Sequence, residues 1–199
     1  GWAIVAAFGD GLPSIGRERA KDAGLDADST ARLEQLGTLV NYNAYGETPD
    51  DLHLHPATLY RELCPYSTPQ AFLDARADLI GMLDTAYRDD MAAARAADVI
   101  DDREAGRIVL LPDSACSRRV SGVFGNALAQ EAKDRAHAVL TRKAGGYMVS
   151  VRAPVSRRSG ADTLCLGFEG GGGRAGAAGI NMLPNAELPR FIETFRKAF

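Results

Sequence analysis

The sequence predicts an α/β protein in two parts: a C-terminal domain built on a mixed β-sheet with flanking helices, joined by a long helix to a mostly helical N-terminal part. Three patterns support this prediction. Residues 1–68 hold short helix-type segments that glycine and proline interrupt, and residues 69–97 rarely depart from helix formers. Residues 98–199 alternate strand-type and helix-type segments. These three ranges are also the predicted domains.

The composition fits one large or two small globular domains and limits the range of partners. The chain has 199 residues, 46% hydrophobic and 25% charged, and a net charge of −3. This charge gives no general attraction to nucleic acid or to a membrane surface, so a polyanion would need a local basic patch. No apolar run reaches the roughly 18 residues that span a bilayer. Three widely spaced cysteines without metal-ligand spacing favour a reducing cytoplasm.

The N-terminal part contains three candidate metal ligands. The chain opens with the apolar run 2–8, which periodicity assigns equally to a buried strand or a buried helix, and we expect it to be a fragment of a longer protein. Asp10 follows on a glycine turn, where aspartate is either a metal ligand or a turn former. His53 and His55 alternate, so a two-histidine metal site is conceivable. Hydrogen-bonded histidines are the favoured alternative, because no third ligand has a suitable spacing.

A single connector helix is predicted over residues 69–97. Pro69 suits the first helical position behind Thr68 as the cap, and no proline interrupts the run that follows. The apolar stripe of this helix consists of Phe72, Leu79, Met82, Leu83, Tyr87 and Met91. At 1.5 Å per residue such a helix would span about 40 Å.

The C-terminal domain is predicted to alternate strands and helices. The predicted strands are 107–112, 136–142, 146–153 and 180–183, and the predicted helices are 117–133 and 185–199. The second and third strands are separated by a short glycine turn, which is typical of a hairpin.

The most unusual stretch is Gly170–Gly179, in which six of ten residues are glycine, three are alanine and only Arg174 carries a functional group. Because glycine loses the most conformational freedom on folding, such a run indicates an unusual bend or a close approach. A guanidinium among bare amides favours an anion site, since its planar donor fork matches phosphate and oriented amides form anion-binding nests. A flexible linker is the alternative, and the apolar sequence on both sides disfavours it.

Neither of two common phosphate loops fits this stretch. A Walker A loop requires Lys-Ser or Lys-Thr after its last glycine, and neither is present. The glycines at 171, 173 and 176 match the dinucleotide-binding fingerprint formally. However, Pro184 and the roughly twenty residues that remain leave no room for the required βαβ unit.

Arginines at several predicted element ends provide local positive charge. If the strands form one sheet, these arginines can converge on one edge and form a basic groove for a phosphodiester backbone. They are Arg118, Arg119, Arg152, Arg157, Arg158 and Arg174. The alternative is a set of scattered, solvated arginines, and the sequence pattern alone leaves both open.

Three motifs of the C-terminal half follow one another in a specific order. They are Gly122–Ala129 on a helix, Ser150–Arg152 at the end of a hairpin, and Gly172–Gly179 before the closing helix. This order resembles the DHH-associated domain of the DHH phosphoesterases, which ends with a Gly-Gly-His-x-x-Ala-Ala-Gly signature. The superfamily includes RecJ-type single-strand exonucleases and oligoribonucleases. The resemblance covers residues 105–199.

The resemblance implies a domain that binds the phosphate or nucleotide end of a substrate. Arg152, Gly172, Gly173 and Arg174 would then hold the substrate phosphate. Arg174 stands where the family has histidine, so it can bind phosphate but cannot transfer protons near neutral pH. Residues 1–68 would be the C-terminal remnant of a DHH catalytic domain. Asp10 resembles the last aspartate of its site for two manganese ions.

The sequence contains no Asp-His-His motif and no Asp-x-Asp pair before Asp10. We therefore assign no catalytic residue and expect the chain alone neither to hold Mn²⁺ nor to hydrolyse a phosphoester. The first hypothesis is the substrate-binding portion of a metal-dependent, exonuclease-like hydrolase for single-stranded nucleic acid, short oligonucleotides or a small phosphoester. The second is a non-catalytic nucleotide- or RNA-binding module. The third is a structural or oligomerisation domain, and a homodimer is left open.

Overall fold

The computed structural model describes all 199 residues, which divide into two compact units, Gly1–Asp90 and Met91–Phe199. The first unit is helical, and the second contains a six-stranded mixed sheet with flanking helices. The α/β class predicted from the sequence is therefore confirmed. None of the helices combines the length and the apolar character that a membrane crossing requires.

The first unit is built from helices that pack around an apolar core. Its helices are α1 (Trp2–Gly9), α2 (Pro13–Asp22), α3 (Ala27–Tyr42), α4 (Pro56–Leu63), α5 (Pro69–Ala75) and α6 (Ala77–Arg95), which continues into the second unit, and a 3₁₀ turn spans Pro49–Asp51. The N-terminal apolar run is thus a helix. Ile4, Val5 and Phe8 of α1 are buried with Leu33 and Leu36 of α3.

The long helix begins later than the sequence predicts. Thr68 caps a separate short helix, α5, as expected, and the chain leaves helical geometry at Arg76, where φ is −125° and ψ is 41°. The Arg76 guanidinium donates to Asp78 and pairs with Glu62 on α4. Neither glycine nor proline marks this position, so these side-chain contacts, rather than a local sequence signal, accompany the break between α5 and α6.

The second unit is organised by one sheet with the strand order β1-β2-β3-β4-β6-β5. Its strands are β1 (Asp98–Asp102), β2 (Gly106–Leu111), β3 (Ala136–Lys143), β4 (Gly146–Arg152), β5 (Gly171–Arg174) and β6 (Ala177–Pro184). Its helices are α7 (Ala115–Glu131), α8 (Ala161–Leu166) and α9 (Leu188–Ala198), and a 3₁₀ turn spans Asn185–Glu187. Strands β2 and β3 are parallel, and all other neighbours are antiparallel.

The two faces of the sheet differ in chemistry. Helix α7 connects the parallel strands β2 and β3, and it packs on one face, where Gly125 lies close to Val139 and Ser150. The opposite face carries the core. There Phe168 and Phe191 pack with ring centroids 5.7 Å apart, and Phe195 stacks on Phe191 at 6.2 Å. The face with α7 carries the polar residues His137, Ser150 and Arg152 beside the apolar Val109 and Val139.

Two strands of the sheet differ from the prediction. Strand β1 was not predicted, because three of its five residues are aspartate, which is rare in strands. The sequence predicts the glycine stretch as a segment before a strand at 180–183, whereas the stretch itself forms β5 and the first part of β6. The pairing of β6 with the distant strand β4, and of β5 with β6, overrides the low strand propensity of glycine there.

Candidate functional site

The sheet register brings two of the predicted phosphate ligands into one row. Arg152 of β4 lies opposite Ala177 of β6, which in turn lies opposite Arg174 of β5. Residues directly opposite one another point to the same face of a sheet, and two strand spacings separate the arginine Cα atoms by about 10 Å. The Ala177 side chain between them is a single methyl group, so it does not fill the space between the two arginines. This row lies on the α7 face, since the Arg152 side chain reaches α7.

At least four hydrogen bonds hold the Arg152 guanidinium. Its Nε donates to Asn126 Oδ1 at 2.7 Å, and Nη1 donates to Ser150 Oγ at 2.8 Å and to the Val151 carbonyl at 3.1 Å. Nη2 donates to the carbonyl of Gly122 on α7 at 3.3 Å. A side chain that is already ordered loses less conformational entropy when it binds a ligand. Arg152 is therefore a pre-oriented cation.

Arg174 contrasts with Arg152 because it is exposed and has no hydrogen-bond or ion-pair partner. Most other arginines of this unit pair with carboxylates: Arg95 with Glu131, Arg103 and Arg196 with Asp101, Arg107 and Arg135 with Asp102, Arg118 with Asp113, and Arg190 with Glu187. The charge of Arg174 therefore remains available to an anion from solution.

Glycine is required at two positions of β5 for different structural reasons, and it is not required at the third. A Cβ on Gly171 would lie 1.9 Å from the Cys165 carbonyl oxygen of α8, so only glycine allows this approach. Gly173 has a φ of 144°, and its Cβ would lie 2.5 Å from the Ala178 Cα. Gly172, by contrast, has nothing within 4 Å of such an atom. Its surface is open, and β5 lies at the edge of the sheet.

The predicted convergence of six arginines is only partly realised. Arg158 lies beside Gly176. Gly176 is in the turn between β5 and β6, two residues after Arg174. Arg118 pairs with Asp113 at 2.6 Å, and Arg119 is buried. Arg157 lies over the Phe199 ring at 5.7 Å. The cations that gather around the hairpin are therefore Arg152, Arg158 and Arg174.

His137 lies in the same row, opposite Arg152 on β3, and it is 2% exposed. Burial is the main cause that lowers the pKa of its imidazole from 6.5 to about 4, and the nearby Arg135 and Arg107 add to this effect. The Ala132 carbonyl and Glu131 act in the opposite direction, although neither ring nitrogen has hydrogen-bond geometry to a partner. His137 is therefore neutral at neutral pH and adds no charge to the site.

Asp10 stays a predicted metal ligand, and the two histidines of the first unit have hydrogen-bond partners instead. Asp10 follows the last turn of α1 and is exposed. His53 Nε2 is 2.8 Å from the Tyr42 hydroxyl, and His55 Nδ1 caps α4 by accepting from the Ala57 amide at 3.2 Å. No three His, Cys, Asp or Glu side chains are close enough to share a metal ion. The donors of this chain do not fit the two-metal centre implied by the resemblance, and we derive no step through a metal.

Several residues that shape these sites have little or no signal in the sequence. Asn126 lies within a motif that the resemblance used, but nothing in the sequence assigns it to Arg152. Ser150 could have been found, because it precedes Arg152 by two residues on a strand and therefore shares its face. The buried Asp90, which accepts a hydrogen bond from the Tyr42 hydroxyl, has no sequence signal.

One cavity of about 130 Å³ lies elsewhere in the second unit. Its lining includes Arg95, Arg107, Val109, Phe124 and Glu131. None of the predicted phosphate ligands lines it, so the candidate site is an open surface rather than this cavity.

No protein-family model and no curated protein matches the chain. Solved structures do. A DHH-domain protein, described as a member of a family of ribosomal proteins, is 15% identical with a TM-score of 0.62, and the match covers 98% of this chain and 48% of that one. A pGpG-specific phosphodiesterase, PggH from Vibrio cholerae, is 13% identical with a TM-score of 0.57, over 83% of this chain and 58% of that one. RecJ from Thermus thermophilus, in complex with Mg²⁺, is 17% identical with a TM-score of 0.57, and the match covers 98% of this chain and 29% of that one.

These matches establish a likeness of fold, since all three identities are below 20%. The chain spans between about a third and three fifths of the length of these proteins. The resemblance found in the sequence is thus confirmed at the level of the fold. A divalent metal is present in the RecJ structure, whereas manganese for this chain stays a prediction.

Proposed function

We propose, on the premise that the chain has the fold of the DHH-domain proteins, that it binds the phosphate end of a short single-stranded oligonucleotide or a related phosphoester. The observation that carries this proposal is the row of Arg152 and Arg174 beside the open surface of Gly172. The names of two structural neighbours, an exonuclease and a pGpG phosphodiesterase, agree with substrates of this class.

The two arginines suit different parts of the binding process. Arg152 is oriented before binding, so it can meet a phosphate oxygen with little loss of entropy. Arg174 is exposed and can move to form a bidentate contact with the same phosphate. The bare strand at Gly172 lets the phosphate approach the backbone amides of β5. Both guanidinium groups stay protonated, so they hold charge and transfer no proton.

In the context of an intact phosphoesterase, this surface would hold the substrate while a metal-dependent site supplies the hydrolytic chemistry. The donors of this chain do not make that metal site. We therefore expect the chain by itself to bind a 5′-phosphorylated oligonucleotide without cleaving it.

A second candidate function is a binding module that never cleaves its ligand. The observation that favours it is Arg174, which replaces the histidine of the resembled signature by a permanent cation. A hydrolysis assay on the longest natural form of the protein, with Mg²⁺ or Mn²⁺, distinguishes the two. Cleavage supports the phosphoesterase, and binding without cleavage supports the module.

The direct test is a titration of the dinucleotide pGpG at fixed salt. Arg174→Ala is expected to weaken binding by tenfold or more, which corresponds to about 1.4 kcal/mol. Arg88→Ala serves as the matched control, because Arg88 is also an exposed arginine and its removal changes the net charge equally. Equal affinities of the wild type and Arg174→Ala would refute the proposed function and favour a purely structural role for the glycines.

A further inference from the structure

Residues 153–161, which we call the strap, wrap around the turn between β5 and β6. At one end the Ala153 amide donates to the Gly176 carbonyl at 3.1 Å, and at the other end the Ala161 amide donates to the Ala175 carbonyl at 3.0 Å. Both carbonyls belong to the two-residue turn that follows Arg174. The strap is therefore fastened at both ends to the element that presents Arg174.

Arg158, within the strap, has an unusual backbone conformation. Its φ is 48°, and it is the one non-glycine residue of the chain with a positive φ. The Arg158 amide donates to the Pro154 carbonyl at 2.7 Å, and the Arg157 amide donates to the same carbonyl at 3.1 Å, which fixes this turn. A glycine would adopt this conformation without strain. Strained residues of this kind are often found at ligand sites, where the function of the side chain offsets the conformational free energy of the strained backbone.

The side chain of Arg158 is placed next to the candidate phosphate site. A Cβ on Gly176 would lie 3.6 Å from the Cβ of Arg158. Gly176 and Arg174 are two residues apart, so their Cα atoms are at most about 7.6 Å apart. Arg158 is exposed and has no hydrogen-bond or ion-pair partner. Its neighbour Arg157 differs, since it lies over the Phe199 ring at 5.7 Å.

From this geometry we propose that Arg158 binds a second phosphate of the ligand, so that the site selects nucleotides with at least two phosphates over mononucleotides. This inference rests on the proposed function, in which Arg152 and Arg174 hold the terminal phosphate. A strand that leaves that phosphate passes the hairpin turn, where Arg158 meets the next phosphodiester. The ligand class is therefore a single-stranded dinucleotide or a longer oligonucleotide.

The test compares pGpG, which has two phosphates, with GMP, which has one, by competition titration. Arg158→Gly removes the cation and keeps the backbone conformation accessible, so the fold is preserved, and a thermal melt checks this. We expect Arg158→Gly to weaken pGpG binding by about tenfold and to leave GMP binding unchanged. It is also expected to reduce the slope of log affinity against log salt for pGpG by about 0.7, the value for one phosphate contact on a single strand.

The controls separate this inference from the function on which it rests. Arg174→Ala should weaken both ligands, and Arg157→Ala should weaken neither. If Arg158→Gly leaves pGpG binding unchanged while Arg174→Ala weakens it, the second phosphate contact is refuted and the proposed function stands. Equal losses for pGpG and GMP in Arg158→Gly also refute it, because Arg158 would then share the terminal phosphate. If Arg174→Ala changes neither ligand, the proposed function itself fails.

Discussion

Asn126 offers a test of how the structure prepares Arg152 for binding. Asn126 Oδ1 accepts from Arg152 Nε at 2.7 Å, and this is one of the bonds that orient the guanidinium. The variant Asn126→Ala removes this acceptor and leaves the charge in place. Asn126 is exposed on α7, and alanine is the better helix former, so the fold should be retained.

The expected size of the effect follows from the freedom that Arg152 regains. Ordering one long side chain on binding costs about 0.5–1.5 kcal/mol. If Arg152 is mobile in the free variant and becomes ordered only on binding, pGpG affinity falls by about two- to tenfold. The slope of log affinity against log salt should stay constant, because no phosphate contact is lost. Arg152→Ala, in contrast, should reduce that slope by about 0.7.

The measurement is a salt series of titrations with the wild type, Asn126→Ala, Arg152→Ala and Gln130→Ala. Gln130 is an exposed residue on the same helix and serves as the matched control. Two results would show that Asn126 does not orient Arg152 for binding. One is an unchanged affinity for Asn126→Ala, which means that the bond does not prepare Arg152. The other is a change in its salt slope, which means that Asn126 acts through charge.

Two further predictions concern stability. The pKa of His137 is about 6.5 in the unfolded chain and about 4 in the folded chain, so acidification from pH 7 to pH 4 should lower the free energy of unfolding by about 3 kcal/mol. Urea unfolding at the two pH values should show a smaller loss of stability in His137→Gln than in the wild type. An equal loss in both proteins would contradict a buried, neutral imidazole. Tyr42→Phe removes the hydroxyl that donates to the buried Asp90 carboxylate, so we expect the free energy of unfolding at pH 7 to fall by about 1–3 kcal/mol. An unchanged urea midpoint would show that this bond does not stabilise the fold.

The sequence predicts the parts of the fold that depend on local pattern. The Thr68-Pro69 helix start and the hairpin of β3 and β4 have short-range signals, and both are present. The break at Arg76 is accompanied by an ion pair with Glu62 on another helix, and two aspartates of β1 pair with the distant Arg196 and Arg135. Local propensity therefore pointed the other way at both places.

The candidate site shows the same division. Arg152 and Arg174 could be singled out because a strand end and a glycine motif mark them. Their common row depends on the register of three strands, which no short window contains. The bond from Arg152 to Asn126, which lies on a different element, likewise arises from tertiary packing. The sequence thus indicates which residues are chemically suited to bind phosphate, and the fold determines which of them act together.

A crystal structure of the chain with pGpG shows directly whether Arg152 and Arg174 hold the phosphate together. We expect the 5′-phosphate over Gly172, within hydrogen-bond distance of both guanidinium groups. A dinucleotide bound with its 5′-phosphate away from both arginines would show that this surface is not the phosphate site.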